Sequence, residues 1–239
     1  MPDESLAEGR SILALVDAGQ WSEAVFTSYT LSLTFFESYV WPRLRQRGCE
    51  TATIFVDVAG FSDSLMERRA RGIGREYSVI PVHVKGGIFH PKLIHLTSRD
   101  SDDDLLLVGS GNLTYSGHGA NVEVLEALQP SRHASAFNDA ASFVSDLLTA
   151  ERVGIPNTDA LRRSGDRLLA IAARGQSLEE VRFVHSINES GRVPASSQAR
   201  RLALKSTCTM LLMSTLVSAV ALASALPATA VGISPSRSR

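Results

Sequence analysis

The sequence predicts an α/β fold in which helices flank both faces of a mixed β-sheet. Helical and strand-like patterns alternate over the first half of the chain, and several short apolar runs follow in the centre with only short polar breaks. Such alternation is typical of a sheet covered by helices, and short connections favour antiparallel neighbours. We therefore expect parallel and antiparallel strands in one sheet, followed by a helical C-terminal extension.

Hydrophobic periodicity places the individual elements along the chain. Apolar residues at helical spacing predict helices over 5–18, 35–47, 62–75, 133–150 and 159–173. Short runs rich in β-branched and other apolar residues predict strands over 24–33, 51–58, 77–84, 93–96, 105–109, 122–128 and 181–187.

The domain organisation is interpreted from changes in composition. We expect a domain over residues 1–150, a helical extension over 151–178, and over 179–205 either a linker or the start of a truncated second domain. Residues 206–239 form an almost uncharged tail, in which 209–226 is long enough for the roughly 20 residues of a membrane helix. Upstream cations would then keep the main domain cytoplasmic. The alternatives to a membrane helix are a buried helix and a tail that is not native to this fold.

The charge limits how the protein can bind nucleic acid, and the cysteine content indicates its cellular compartment. The 239 residues contain 24 Lys and Arg against 25 Asp and Glu, a formal net charge of -1. Any contact with nucleic acid therefore needs a local basic patch. Cys49 and Cys208 lie too far apart in the sequence for a metal-binding motif or a disulfide framework, and the first ten residues contain no secretory signal. We expect a cytoplasmic protein with reduced thiols, no cofactor and no metal.

Three short motifs, in order, carry the predicted chemistry. His90 and Lys92 are two apart, so an extended strand places imidazole and ammonium on one face. The turn Gly109–Asn112 (Gly-Ser-Gly-Asn) offers backbone N–H groups, a hydroxyl and an amide that suit phosphoryl oxygens. Glu123, two residues after Asn121, can accept a hydrogen bond from an imidazole and fix its tautomer. Together these motifs predict a phosphoryl-transfer pocket.

These residues resemble the phospholipase D superfamily, whose signature is HxK(x4)D(x6)GSxN followed by N-x-E. His90 and Lys92 match HxK, Gly109, Ser110 and Asn112 match GSxN, and Asn121 and Glu123 match N-x-E. The signature's Asp would fall at Thr97 and is missing, and the interval from Lys92 to Gly109 is 17 residues instead of 12. The acidic run 99–104 fills this interval and is interpreted as a solvated hairpin tip.

The resemblance covers roughly residues 26–128 and implies a metal-independent, two-step phosphodiester transfer. His90 would attack phosphorus to form a phosphohistidine, and a second histidine would protonate the leaving oxygen and then activate water. Lys92, Asn112 and Ser110 would bind the non-bridging oxygens, and Glu123 would orient the imidazole. Because one half-site is recognisable, the resemblance implies a homodimer that brings two copies of His90 together.

We interpret the chain as a phosphodiesterase of the bacterial phospholipase D type, nuclease-like, with DNA or RNA as substrate. One alternative is a catalytically degenerate domain that serves as an assembly module, because the Asp is missing and one half-site is present. Another is a membrane-anchored lipid phosphodiesterase, which requires a membrane helix within 206–226.

The histidines and arginines outside the three motifs can be explained by structural roles as well as by functional ones. A second His-x-Lys, His83 and Lys85, lies farther from the Gly-Ser-Gly-Asn turn and fits the signature less well. We interpret the histidines other than His90 as structural or exposed: His83, His95, His118, His133 and His185. A group of arginines in the predicted helix 62–75 would form either a polyanion contact or a solvated face: Arg68, Arg69, Arg71 and Arg75.

Overall fold

The computed structural model describes residues 11–175, Leu178, 181–187 and the backbone of 211–213. Its α-helices are α1 (Ile12–Asp17), α2 (Leu33–Phe35), α3 (Trp41–Gln46), α4 (Val58–Ser64), α5 (Ala134–Thr149) and α6 (Asp159–Arg174). Its strands are β1 (Glu23–Ser28), β2 (Thr51–Asp57), β3 (Ser78–Val84), β4 (Leu93–Thr97), β5 (Leu105–Gly109), β6 (Leu125–Leu128), β7 (Val153–Gly154), β8 (Arg182–Val184) and β9 (Leu211–Met213). Two π-helical segments, Phe36–Val40 and Ser116–Ala120, and a 3-10 turn, Ser101–Asp103, complete the described elements.

Seven of the described strands form one mixed sheet in the order β6-β5-β4-β1-β2-β3-β7. The strands β1, β2 and β3 are parallel, and helical segments connect β1 to β2. The strand β4 runs antiparallel to β1 on one side and to β5 on the other, and β6 is antiparallel to β5. The predicted combination of parallel and antiparallel neighbours is confirmed.

Alternate side chains of the sheet enter two separate cores. Ala24 and Phe26 of β1 belong to one core, and Val25 between them belongs to the other. Helices α1, α2 and α3 close the first core, and α5 and α6 close the second. The predicted fold class, a sheet with helices on both faces, is therefore confirmed. Helix α6 lies in the predicted helical extension and packs on α5 within the second core; the domain boundary at residue 150 stays a prediction.

The predicted helix over 62–75 is wrong. Helix α4 spans Val58–Ser64, and Asp57 caps its start by accepting a hydrogen bond from the backbone N–H of Ala59 at 2.9 Å. Farther along, the carboxylate of Glu37 accepts the backbone N–H groups of Arg71 and Gly72. Because these N–H groups are bound from outside the segment, the backbone there is a loop, and the group of arginines lies on that loop.

The prediction of a solvated acidic tip is wrong for Asp104, which is 1% exposed. Its carboxylate accepts hydrogen bonds from the backbone N–H of Ser98 at 2.8 Å and from Arg167 at 2.8 and 2.9 Å. His95 lies between Asp104 Oδ2 (3.3 Å) and Ser164 Oγ (2.8 Å). Burial raises the pKa of Asp104, but the bonds from Arg167 and His95 outweigh burial, and the net pKa lies below the ordinary value.

The last described strands form a separate two-stranded sheet, in which β8 pairs antiparallel with β9. The predicted strand over 181–187 is thus shorter than expected. Most of the predicted membrane helix over 209–226 lies outside the described residues, as does Cys208. Within the described ranges, every helix is too short or too polar to cross a bilayer.

Candidate active site

Strand directions bring the predicted motifs to one end of the sheet. Because β4 runs antiparallel to both neighbours, its first residue lies beside the last residues of β1 and β5. The backbone N–H of Gly109, where β5 ends, donates to the carbonyl of Lys92 at 3.1 Å. This bond joins the His-x-Lys segment directly to the Gly-Ser-Gly-Asn turn.

His90 and Lys92 form a close pair at the entry to β4. Lys92 is 7% exposed, and its Nζ lies 2.6 Å from Nδ1 and 2.9 Å from Nε2 of His90. The ammonium also donates to the His90 carbonyl at 3.0 Å. Burial lowers the pKa of His90, the charge of Lys92 lowers it further, and Asp57 raises it in part. The neutral imidazole, which is the nucleophilic form, is therefore favoured.

Asp57 fixes the backbone next to this pair. It was not among the site residues predicted from the sequence. It is buried at the carboxyl end of β2, where one oxygen accepts the backbone N–H of Phe89 at 2.7 Å. The other oxygen caps α4 through Ala59. Asp57 thus holds the backbone immediately before His90. The available signal was its place at the end of a buried strand, where ligand-binding residues of parallel sheets gather.

Asn112 is held through its side-chain oxygen. Oδ1 accepts the backbone N–H groups of Tyr29 at 3.2 Å and Thr30 at 3.3 Å, and the hydroxyl of Ser28 at 3.4 Å. Two backbone donors on one side require the oxygen there, so the amide orientation follows from the network. The Nδ2 group has no hydrogen-bond partner among the described residues, which leaves two donors available to a ligand.

Ser110, Asn121 and Glu123 form a second polar group beside the turn. Ser110 Oγ donates to Glu123 Oε2 at 2.5 Å, and Asn121 Nδ2 donates to Glu123 Oε1 at 3.1 Å. The bond from Ser110 lowers the pKa of Glu123, burial acts in the opposite direction, and Asn121 and the nearby charges of His118 and Lys92 lower it further. The structure therefore brings the three predicted residues together. It does not join Glu123 to His90, so the expected contact between them is absent from the described hydrogen bonds.

His118 is a further titratable group of this site that the sequence analysis assigned to structural or exposed histidines. It lines one pocket together with Lys92 and Glu123. Burial lowers the pKa of His118, and the charge of Glu123 offsets part of this effect. Its only sequence signal is a position between the second and third motifs.

Two glycines allow the loop with His118 to fold back onto Asn112. A Cβ at Gly117 would lie 2.2 Å from the carbonyl oxygen of Asn112, and a Cβ at Gly111 would lie 2.6 Å from the carbonyl oxygen of Gly117. Larger residues at either position would push this loop away from the turn. The second His-x-Lys is elsewhere: His83 and Lys85 are both exposed near β7, at the sheet edge.

Comparisons with known proteins found similarity in solved structures alone. No protein-family model and no curated protein matches the chain. NucT from Helicobacter pylori matches with a TM-score of 0.35 and 13% sequence identity, over 67% of this chain and 84% of NucT. Nuc from Salmonella typhimurium, a phospholipase D family member, matches with a TM-score of 0.31 and 17% identity, over 49% of this chain and 72% of Nuc.

Proposed function

We propose that the protein is a metal-independent phosphodiesterase of the phospholipase D type, nuclease-like, that acts through a phosphohistidine at His90. The observation that carries this proposal is the buried ammonium of Lys92 in contact with a half-buried imidazole whose pKa is lowered. A neutral imidazole beside a fixed cation combines a nucleophile with a group that stabilises a phosphoryl anion.

In the first step the lone pair of the His90 imidazole attacks phosphorus. A P–N bond forms, the P–O bond to the leaving group breaks, and a proton from a second imidazole neutralises the departing oxygen. The ammonium of Lys92 must leave the imidazole before this attack. A negatively charged diester oxygen is a stronger acceptor than a neutral ring nitrogen, so substrate binding itself would draw Lys92 away and free the nucleophile.

The non-bridging oxygens gain charge in the transition state and need donors that are already oriented. Lys92 and the Nδ2 group of Asn112 supply such donors, because one is held by burial and the other by the bonds to its Oδ1. Ser110 is bonded to Glu123 and would reach the substrate only by exchanging that bond.

In the second step water attacks phosphorus, the P–N bond breaks, and the second imidazole accepts the water proton. We infer that this imidazole is His90 of a second copy, in a homodimer whose two-fold axis passes between the sites. His118 is the candidate within one chain, because it lines the same pocket as Lys92.

The proposal is tested by hydrolysis of bis-p-nitrophenyl phosphate and of DNA, with and without EDTA. We expect His90→Ala to lower the rate by at least about 10³-fold, as for the loss of a covalent nucleophile. His83→Ala is the matched control, because it removes an exposed histidine from the second His-x-Lys, and it should leave the rate unchanged. Activity that survives His90→Ala, or that EDTA abolishes, would contradict the mechanism.

A catalytically degenerate assembly module is the second candidate function. It is favoured by the absence of a hydrogen bond between Glu123 and His90, since Glu123 is bonded to Ser110 and Asn121. In that case the native protein and His90→Ala would be equally inactive on both substrates while both remain folded.

A further inference from the structure

A cluster of four aromatic rings lies directly beside the candidate active site. It consists of Phe35, Tyr39, Tyr115 and His118, and we call it the ring cluster. The His118 ring, which lines the pocket, stacks on Phe35 with centroids 5.9 Å apart and planes 11° apart. Phe35 also contacts Tyr39 at 5.8 Å and Tyr115 at 5.2 Å. The cluster is thus continuous with the pocket through one ring.

Two rings of this cluster face solvent. Tyr39 is 42% exposed and Tyr115 is 46% exposed, and their centroids lie 5.5 Å apart. Neither hydroxyl has a hydrogen-bond partner among the described residues. Adjacent exposed aromatic rings on a protein surface are typical of a binding site, because burying them against a ligand is favourable.

Both of the described π-helical segments contribute to the ring cluster. Tyr39 lies within Phe36–Val40 and His118 within Ser116–Ala120, while Phe35 and Tyr115 each come directly before one of these segments. The π-helical geometry is rare and occurs frequently at functional sites. Its occurrence on both sides of this cluster sets these four rings apart from ordinary surface aromatics.

A basic loop is hydrogen-bonded to the two consecutive helical segments that carry Phe35 and Tyr39. We call 66–76, which follows α4, the arginine loop. Glu67 accepts the backbone N–H of Thr34 at 2.7 Å, and Glu37 accepts the backbone N–H of Gly72 at 2.6 Å. These bonds anchor both halves of the loop beside Phe35 and Tyr39. The loop therefore has a defined position relative to the ring cluster.

The arginine side chains of this loop are exposed. Arg75 pairs with Glu76 at 3.6 Å, whereas Arg68, Arg69 and Arg71 have no carboxylate partner among the described residues. The acidic side chains that anchor the loop are occupied by backbone N–H groups. The loop carries four arginines against Glu67 and Glu76, and the carboxylate of Glu37 is bound to it, so the surface beside the rings keeps a small excess of positive charge although the whole chain has a net charge of -1.

We propose that the ring cluster and the arginine loop form a binding surface for single-stranded nucleic acid that leads into the active site. Unpaired bases would stack on Tyr39 and Tyr115, and the arginines would contact the phosphates. A duplex cannot use this surface in the same way, because its bases already stack on one another. This inference rests on the proposed phosphodiesterase function and narrows its substrate from phosphodiesters in general to single strands.

The test measures binding of a fluorescent oligonucleotide of roughly 16 nucleotides, within the range of known single-strand sites. The full chain carrying His90→Ala is used so that cleavage does not interfere. We expect the single strand to bind more tightly than the duplex of the same sequence. Adding Tyr39→Ala and Tyr115→Ala should weaken single-strand binding at least about tenfold, because each stacked base contributes substantially.

Two control variants separate stacking from a loss of structure. Tyr39→Phe with Tyr115→Phe keeps both rings and should bind like the parent chain. Leu169→Ala removes an exposed apolar side chain (55% exposed) from α6 on the opposite side of the sheet, and it should have no effect. Equal binding of duplex and single strand, or unchanged binding after both Tyr→Ala substitutions, would overturn the proposal.

The arginine loop is tested by the salt dependence of the same binding. Replacing Arg68, Arg69 and Arg71 by Ala should reduce the slope of log K against log salt, by roughly 0.7 for each phosphate that the variant no longer neutralises. An unchanged slope would contradict the role of the loop.

Failure of this inference and failure of the proposed function give different results. The chain with native His90 could hydrolyse bis-p-nitrophenyl phosphate but bind oligonucleotides equally with and without the two tyrosines. This result would refute the proposed binding surface and leave the proposed phosphodiesterase function intact. If neither the small diester nor DNA is cleaved, yet single strands bind through the tyrosines, the enzymatic function is refuted and the surface stands.

Discussion

Thr27 and Leu93 exchange two hydrogen bonds through a single hydroxyl. The backbone N–H of Leu93 donates to Thr27 Oγ1 at 2.8 Å, and that hydroxyl donates to the Leu93 carbonyl at 3.2 Å. The last backbone pair between β1 and β4 is Phe26 with Ile94, so the Thr27 side chain extends the pairing by one residue. Because Leu93 follows Lys92, this exchange fixes the backbone from which the ammonium projects.

Thr27→Val should therefore lower both stability and activity. The substitution keeps the shape of the side chain but leaves two buried backbone groups without partners, and it should cost about 1–3 kcal/mol in free energy of unfolding. Denaturant unfolding measures the loss, and hydrolysis of the small diester measures the displacement of Lys92. Thr27→Ser retains the hydroxyl and should recover most of both. A Val variant as stable and active as the native chain would show that the exchange has no such role.

Lys92→Met should raise the pKa of His90. The positive charge of Lys92 disfavours the imidazolium form, so removing it lets the pKa return toward the ordinary value while burial still opposes protonation. Histidine titration by NMR measures the shift of the His90 pKa. A downward shift, or none, would contradict the contact between the two side chains.

The acid limb of the pH–rate profile should report the same group. In the proposed homodimer the attacking copy of His90 must be neutral while the other copy carries the proton, so activity is lost when the attacking copy is also protonated as the pH falls through its pKa, which lies below the ordinary value of 6.5. We expect the native chain to keep its activity at pH values slightly below 6.5, where an unperturbed imidazole would already be more than half protonated. An acid limb centred above pH 6.5 in the native protein would argue against His90 as the nucleophile.

Arg167→Met should destabilise the fold without affecting the active site. The buried carboxylate of Asp104 would lose its strongest partner, and breaking a buried pair by removing one member costs about 3–5 kcal/mol; partial exposure of Arg167 favours the lower end of this range. Arg162→Met, on the exposed face of the same helix, is the matched control and should change stability little.

The pH dependence of stability follows from the lowered pKa of Asp104. A carboxyl whose pKa is lower in the folded state stabilises the fold above its unfolded pKa of about 3.8, and this contribution is lost as the pH falls through the folded value. Thermal unfolding below pH 3.8 should therefore differ less between Arg167→Met and the native chain than it does at pH 7. Equal differences at both pH values would contradict the assigned pair.

Mixing experiments decide whether two chains share a site. Light scattering should give twice the mass of one chain. If each site needs two copies of His90, randomly mixing equal amounts of native and His90→Ala chains should leave about one quarter of the native activity for the same total protein, because mixed dimers are inactive. A value of about one half would show that each chain acts alone and would contradict the shared site.

Local spacing in the sequence was sufficient for a large part of this structure. The strand β5 and the helices α5 and α6 lie close to their predicted bounds, because each is specified by periodicity within a short segment. The contact between His90 and Lys92 was also expected from their two-residue spacing, although both residues lie just before β4 and not within a strand.

Other features depend on partners that are distant in the sequence. Glu37, 34 positions earlier, accepts a hydrogen bond from the backbone N–H of Arg71. Because this N–H is bound by a distant side chain, the segment is a loop although its sequence has a helical pattern. Asp104 has the polarity of a hairpin tip, but Arg167, 63 positions later, allows it to be buried.

The sequence by itself determined which chemical groups are present and which neighbours share a face of a strand. Only the tertiary structure decided that β4 lies between β1 and β5, that Lys92, His118 and Glu123 line one pocket, and that Asp57 holds the backbone before His90. The physical reason is that periodicity specifies an element through contacts a few residues apart. A site depends instead on which strands pair and which buried polar groups find partners across the fold.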